Sequence, residues 1–329
     1  MKKQLLIAAV AATMASVSMA DISITGDAKV NYTNVDSQTD TSDTNAFKND
    51  INLTLAGSNG GTNVLVRASV AQSDGTTTEV DSFQVEDAYV TTSIGDVNVK
   101  FGQYNNTSDS MLSDATNATI DAGRFTADTT IGGVKITYVD QNDSAEAVII
   151  SGEVSGVSIS HKMGNAGAGS ANDYTDTKIS GSVAGLDIAY RTKQYDTADT
   201  DMESLEVTGE FNGVTLTYAQ AERDATGTDF AVEGVLGTYA ALNNIKGVKA
   251  STSLAGNTVA VTVASTEADK NAATSNDYTK FVVTRPLASG ATFEATYTDL
   301  DASAGSTSDS VTLDLELAVR SEERRVGKE

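Results

Sequence analysis

Residues 205–218 alternate between apolar and polar side chains in two runs that are separated by a turn. The apolar side runs up to Phe211 and resumes at Val214, after the dipeptide Asn212-Gly213. A period of two is typical of a half-buried β-strand, and Asn-Gly is a strong signal for a two-residue hairpin turn. The segment therefore predicts a β-hairpin, which is only marginally stable alone and needs neighbouring strands.

The same unit recurs along the chain. A tight turn that contains glycine is followed by apolar residues at alternate positions, and such turns lie at Gly95, Gly133, Gly156, Gly185 and Gly213. Longer connections rich in Asp, Thr, Ser, Asn and Gly separate these units. Short turns at one end and long loops at the other are typical of an up-and-down outer-membrane barrel.

The alternating runs predict an all-β fold. We expect a closed antiparallel transmembrane β-barrel of eighteen strands, with short periplasmic turns and long extracellular loops. The first mature strand is predicted over 22–34. This count treats residues 223–244 as one long loop with a helical patch around 230–242. If part of that stretch pairs as strand, sixteen strands are the alternative.

The positions of the charged residues indicate which face of the predicted strands is in contact with water. In the regularly alternating strands the basic residues fall on the polar face, and these are Lys29, Arg67, Lys100, Lys135, Lys162, Lys178, Arg191, Lys193 and Lys249. A charge at the lipid midplane costs about 2–4 kcal/mol, so a charged inner face implies a water-filled lumen. A soluble half-buried sheet would also place charge on its solvent face, and this alternative stays open. The net charge of −23 argues against nucleic-acid binding.

The two ends differ from the rest of the chain. Residues 1–20 combine Lys2-Lys3, an apolar stretch and a small-residue cleavage site ending at Ala20, as a secretory signal peptide does. A short N-terminal helix is the alternative. Residues 320–329 break the alternation and match translated sequencing adapter, so we interpret them as an artefact, with a solvated charged tail as the alternative. The barrel is then expected over 21–319.

The chain resembles the general porins of Gram-negative bacteria over essentially its whole mature length. The similarity rests on the signal sequence, the opening D-I-S-I-T-G-D-A-K-V-N-Y, the segment V-E-D-A-Y-V-T-T-S-I-G-D-V-N-V-K-F-G-Q and the alternating final strand. The resemblance implies passive diffusion of small hydrophilic solutes across the outer membrane. It also implies a homotrimer that contacts outer-membrane lipid and lipopolysaccharide.

The resemblance further implies a constriction, because the third long loop of these porins folds into the lumen. The equivalent loop by order is residues 104–122, whose acidic candidates are Asp109, Asp114 and Asp121. Basic residues are expected on the facing wall, and by their distance from the turns the candidates are Lys29, Arg67 and Lys100. Aspartate is also common in solvated loops, which is the alternative for the three acidic residues.

The acidic balance predicts a preference for cations. Loop carboxylates such as Asp36, Asp40 and Asp43 suggest at most weak surface binding of Ca²⁺ or Mg²⁺, and we expect no cofactor. No catalytic arrangement is present, and the single histidine, His161, lies on the apolar phase. The competing functional hypothesis is a secreted or surface β protein with a structural or adhesive role and no channel.

Overall fold

The computed structural model describes residues 21–37, 44–73, 82–104, 112–114, 123–141, 145–165, 173–196, 201–223, 230–232, 244–267, 275–302 and 308–320. The strands are β1 (Asp21–Ser37), β2 (Thr44–Asn59), β3 (Thr62–Ser73), β4 (Ser82–Ile94), β5 (Val97–Gln103), β6 (Leu112–Asp114), β7 (Gly123–Ile131), β8 (Val134–Gln141), β9 (Ala145–Val154), β10 (Val157–Asn165), β11 (Asp173–Val183), β12 (Leu186–Tyr195), β13 (Met202–Phe211), β14 (Val214–Arg223), β15 (Phe230–Val232), β16 (Asn244–Leu254), β17 (Asn257–Glu267), β18 (Ser275–Pro286), β19 (Ala291–Ala302) and β20 (Ser308–Arg320).

All strands except β6 and β15 form one antiparallel sheet of eighteen strands in chain order. The first and last strands pair with each other, with Lys29 opposite Glu316 and Tyr32 opposite Leu313. This pairing closes the sheet into a barrel, and a closed barrel has no unpaired edge. Among the described residues, no helix is long and apolar enough to span a membrane.

The predicted count of eighteen strands is confirmed. Strand β15 lies in the stretch that the sequence left uncertain, but it pairs with β6 and not with the barrel wall. It therefore adds no wall strand, and the alternative of sixteen strands is wrong. The predicted helical patch is also wrong at Phe230–Val232, which is extended; its remainder lies outside the described residues.

Two-residue turns join the strands at one end of the barrel. Asn212 and Gly213 have φ angles of 52° and 78°, so both residues of this turn lie in the left-handed region. Such turns match the right-handed twist of the flanking strands. The predicted hairpin forms around this turn, with Phe211 opposite Val214 and Val207 opposite Tyr218.

The strand alternation separates an apolar outer face from a polar inner face. Large apolar residues are exposed on the outside, as Leu53, Ile136, Leu216 and Val261 illustrate. The predicted basic residues all alternate with this outer set and therefore face the lumen. His161 lies on the outer phase as expected, and its Nδ1 lies 2.8 Å from Thr177 Oγ1.

Candidate functional site

Among the described residues, we distinguish three charged clusters on the inner wall, each formed by side chains of neighbouring strands. The first surrounds Arg67 on β3. Its guanidinium lies 2.5 Å from Glu86 Oε2 and 3.4 Å from Asp87 Oδ2. The β3–β4 register shifts between Arg67 and Ala68, which inserts an extra residue in β4. Two consecutive acidic residues can reach one arginine because this bulge breaks the strict alternation of β4.

The second cluster lies two strands further on, around Lys100 of β5. The Lys100 Nζ lies 3.8 Å from the ring centroids of both Tyr89 and Tyr104. The two rings meet edge to face with centroids 5.6 Å apart. Tyr104 is only 4% exposed, and its hydroxyl forms a hydrogen bond with Thr126 on β7. The point where the chain leaves β5 is thus fixed against the inner wall.

The third cluster lies on β11 and β12. Arg191 donates from Nε to Asp176 Oδ1 at 2.7 Å, and from Nη2 to Asp176 Oδ2. Lys193 is buried and its Nζ lies 4.7 Å and 4.8 Å from the ring centroids of Tyr174 and Tyr195. A two-bond arginine–carboxylate pair is both stronger and more directional than a single contact. This cluster is therefore a rigid part of the wall.

The predicted basic residues face the lumen, but the structure does not gather all three into one group. Arg67 and Lys100 lie on β3 and β5, separated only by β4. Lys29 lies apart on β1, where its Nζ is 3.3 Å from Asp314 Oδ2 of β20. Arg67 and Lys29 are thus neutralised locally by acidic neighbours on adjacent strands.

Of the three predicted acidic residues, Asp109 and Asp121 lie outside the described residues. Asp114 ends β6, where its backbone pairs opposite Phe230 of β15. The segments between β5 and β7 and between β14 and β16 are therefore joined by a short two-stranded sheet. These segments leave the barrel on nearly opposite sides of the eighteen-strand ring.

An apolar strip runs along the inner wall below the second of these segments. Its residues lie on β13, β14, β16 and β17, and they are Met202, Ala219, Ala221, Ile245 and Ala264. Ile245 is only 2% exposed although it faces the lumen side. Tyr195 and Tyr278 pack against the strip from the two flanking strands. The strip is therefore buried although it lies on the lumen side of the strands.

Sequence reasoning missed Arg124, Tyr89 and Tyr104. Arg124 precedes Phe125, and since Phe125 belongs to the outer apolar phase, the alternation alone places Arg124 on the inner face. The tyrosines carried no such signal, because their contacts with Lys100 depend on the register between β4 and β5. Within the described residues, no group of three or more His, Cys, Asp or Glu is arranged to hold a metal ion.

Comparison with solved structures identifies the fold. The chain superimposes on the outer membrane protein OprD from Pseudomonas aeruginosa with a TM-score of 0.71 and 11% identity, covering 96% of this chain and 98% of that one. OccK11 (OpdR) of the same organism gives a TM-score of 0.71 at 10% identity, covering 92% and 97%. Such proteins are outer-membrane porins with eighteen-stranded barrels.

This chain has the fold of an outer-membrane porin. The opdK protein of Pseudomonas aeruginosa shares that porin fold, with a TM-score of 0.69 and 9% identity over 92% of this chain and 99% of that one. No protein-family model matches the sequence, and no curated protein matches it. The porin fold agrees with the predicted barrel, and the neighbours that share it are channels, not enzymes.

Proposed function

We propose that the protein forms a water-filled channel through the outer membrane of a Gram-negative bacterium, for passive diffusion of small hydrophilic solutes and ions. One arrangement carries this proposal: the ring is closed, its outer face exposes large apolar residues, and the basic residues of its regularly alternating strands face the lumen. A barrel of this kind satisfies every backbone group in lipid while it keeps a polar interior. Residues 1–20 serve as the signal peptide that directs export.

The channel prefers cations. The support for this proposal is the net charge of −23 and the local pairing of several wall cations with carboxylates. An ion pair contributes little net potential, so the excess of 45 acidic over 22 basic residues dominates the field.

The constriction lies where the third loop, residues 104–122, folds into the lumen, with Asp109, Asp114 and Asp121 as its acidic groups. Lys29, Arg67 and Lys100 contribute the basic wall. Two observations support this arrangement. The β6–β15 pairing joins two segments from nearly opposite walls, and the inner apolar strip is buried on the lumen side.

Reversal potentials in a KCl gradient test both the channel and its selectivity. In a planar bilayer, the wild-type protein is expected to give a reversal potential whose sign shows a higher permeability for K⁺ than for Cl⁻. Asp114→Asn should move that potential towards zero, because it removes one carboxylate from the constriction. Asp173→Asn, on the outer phase of β11, is the matched control. An anion-selective wild type would contradict the selectivity proposal.

The protein assembles as a homotrimer in contact with lipid and lipopolysaccharide. Support comes from an apolar outer surface that rises higher on β2 and β20 than on β13 and β14. Phe47 and Ile51 are 52% and 53% exposed. Glu203 on β13 and Glu222 on β14 also lie on the outer face. Each is as many residues from its turn as Ile51 is from the turn after β2. An exposed apolar patch above the level of these acidic residues is suited to a second copy of the chain.

A further inference from the structure

A hollow of about 390 Å³ lies on the outer face of the barrel, at the ends of β8–β11 that lie away from the two-residue turns. Its apolar part consists of Tyr138, Val148 and Met163, which lie opposite one another on three adjacent strands. Tyr138 and Met163 are 37% and 43% exposed, and Thr175 on β11 continues the row opposite Met163. A hollow of this volume is large enough to bind a small molecule.

Carboxylates follow this apolar row two residues further from the turns. Glu146 lies opposite Asp140, and the Glu146 backbone N–H donates to Asn165 Oδ1 at 2.8 Å. Asn165 lies opposite Asp173, whose backbone carbonyl accepts a hydrogen bond from the Asp196 N–H at 2.9 Å. The rim of the hollow therefore carries Glu146, Asp173 and Asp196, and Asp140 lies on the strand beside them.

No cation of the described residues balances this rim. None of the ion pairs within that part of the chain involves the four carboxylates. The adjoining connections, residues 142–144, 166–172 and 197–200, contain no lysine or arginine. Like charges that lie opposite each other on neighbouring strands destabilise a sheet. A positive group at the rim would remove this repulsion.

Charge and polarity together select the occupant of the hollow. A lipid that lies along the strands places its acyl chain on the apolar row and its headgroup at the level of the carboxylates. An ammonium group donates strong hydrogen bonds to carboxylates, whereas an anionic headgroup is repelled by them. We propose that the hollow binds one membrane lipid whose headgroup ends in a primary ammonium group. This inference rests on the proposed location of the barrel in a membrane.

A single introduced tryptophan can report on the lipid beside the hollow, because the chain contains no tryptophan. Gln194→Trp places the reporter on the outer phase of β12, opposite Thr175. Ser265→Trp is the matched control, since Ser265 is also on the outer phase and both positions are the ninth residue of their strands. Each protein is reconstituted in phosphatidylcholine vesicles that contain either phosphatidylethanolamine or phosphatidylcholine with brominated chains, which quench tryptophan fluorescence on contact.

Brominated phosphatidylethanolamine is expected to bind beside Gln194→Trp about fivefold more tightly than brominated phosphatidylcholine, a ratio typical of one exposed ion pair. The quaternary ammonium of phosphatidylcholine cannot donate a hydrogen bond to a carboxylate. Ser265→Trp should show no preference between the two lipids. In the Gln194→Trp protein, Glu146→Gln combined with Asp173→Asn should abolish the preference.

The control for this double substitution is Glu203→Gln combined with Glu222→Gln. Glu203 and Glu222 are also opposite each other on the outer face, on β13 and β14, and do not line the hollow. These changes should leave the preference at Gln194→Trp intact. Val148→Trp cannot be combined with the reporter, so Val148→Phe is used to fill the hollow and should reduce quenching by both lipids.

Equal quenching of Gln194→Trp by the two lipids, or a preference that survives the double substitution at the rim, would overturn the proposal. Stronger quenching by brominated phosphatidylglycerol with Mg²⁺ would also overturn it, because an anionic lipid bridged by a cation would then be the occupant. Quenching at Ser265→Trp alone would show that a second protein surface covers the hollow. Quenching at neither position would contradict the membrane location itself, so the two failures are distinguishable.

Discussion

At the scale of single residues, the burial of an inner-wall ion pair determines how much that pair stabilises the barrel. Asp176 and Arg191 are both largely buried and are joined by two hydrogen bonds. Asp128 and Lys135 lie 3.4 Å apart, and half of the lysine side chain is exposed. Exposed pairs contribute at most about 1 kcal/mol, whereas removing one partner of a buried pair leaves a charge without compensation.

Asp176→Asn is therefore expected to lower the free energy of unfolding by about 3 kcal/mol. The loss arises because the Arg191 guanidinium keeps its charge in a place where Lys193 is also buried. Urea unfolding of the refolded barrel, followed by far-ultraviolet circular dichroism, measures the change.

Asp128→Asn is the same substitution at the exposed pair and should cost less than about 1 kcal/mol. Equal losses for the two variants would show that the Asp176–Arg191 pair is not shielded from water and that the third cluster is not a rigid part of the wall.

At the scale of turns, the short connections require backbone conformations that most residues disfavour. Ala184 has a φ of 53°, while Asn212 occupies the equivalent position of its own turn at 52°. Alanine pays about 1 kcal/mol in the left-handed region, and asparagine tolerates it better. The Ala184–Gly185 turn is therefore less favourable than Asn212–Gly213.

Ala184→Asn should raise the free energy of unfolding by about 0.5 kcal/mol, since it relieves this strain without touching the strands. Ala189→Asn, in the extended region of β12, serves as the control and should give no gain. Equal effects at both positions would indicate that the turn conformation does not matter. The measurement is again urea unfolding.

At the scale of strands, the alternation predicts opposite outcomes for neighbouring positions. Leu216 is exposed on the outer face, and Thr215 faces the lumen opposite Glu210. Leu216→Arg should destabilise the folded barrel in lipid more than Thr215→Arg does, because a charge on the lipid face costs up to about 2–4 kcal/mol, depending on its depth. Thr215→Arg should cost little, because the new cation meets water and a carboxylate. Unfolding in lipid vesicles compares them, and a reversed order would contradict the assigned faces.

At the scale of the whole molecule, the barrel was predictable because each strand repeats the same local rule. Strict alternation between Ile22 and Asn34, and tight turns such as Asn212-Gly213, determine strand faces without knowledge of neighbours. The eighteen-strand count followed from summing these units. Closure between β1 and β20 follows from the same rule, since lipid leaves no place for an open edge.

The candidate site was less predictable, since it depends on register and on irregular segments. The Arg67 cluster depends on a bulge that alternation does not reveal. Lys100 was expected on the wall that faces the acidic third loop, and the sequence did not indicate the two tyrosines from separate parts of the chain that flank it. The β6–β15 pairing joins two loop segments of only three residues each, which carry no periodic pattern.

The proposed function requires that this closed barrel conducts ions. Purified full-length protein added to a planar lipid bilayer in KCl should produce discrete, stepwise increases in current as single barrels insert. Boiled protein, in which the strand pairing is lost, should produce none. Protein that inserts into the bilayer as a folded barrel and yet gives no discrete current steps would contradict the channel and favour a purely structural role.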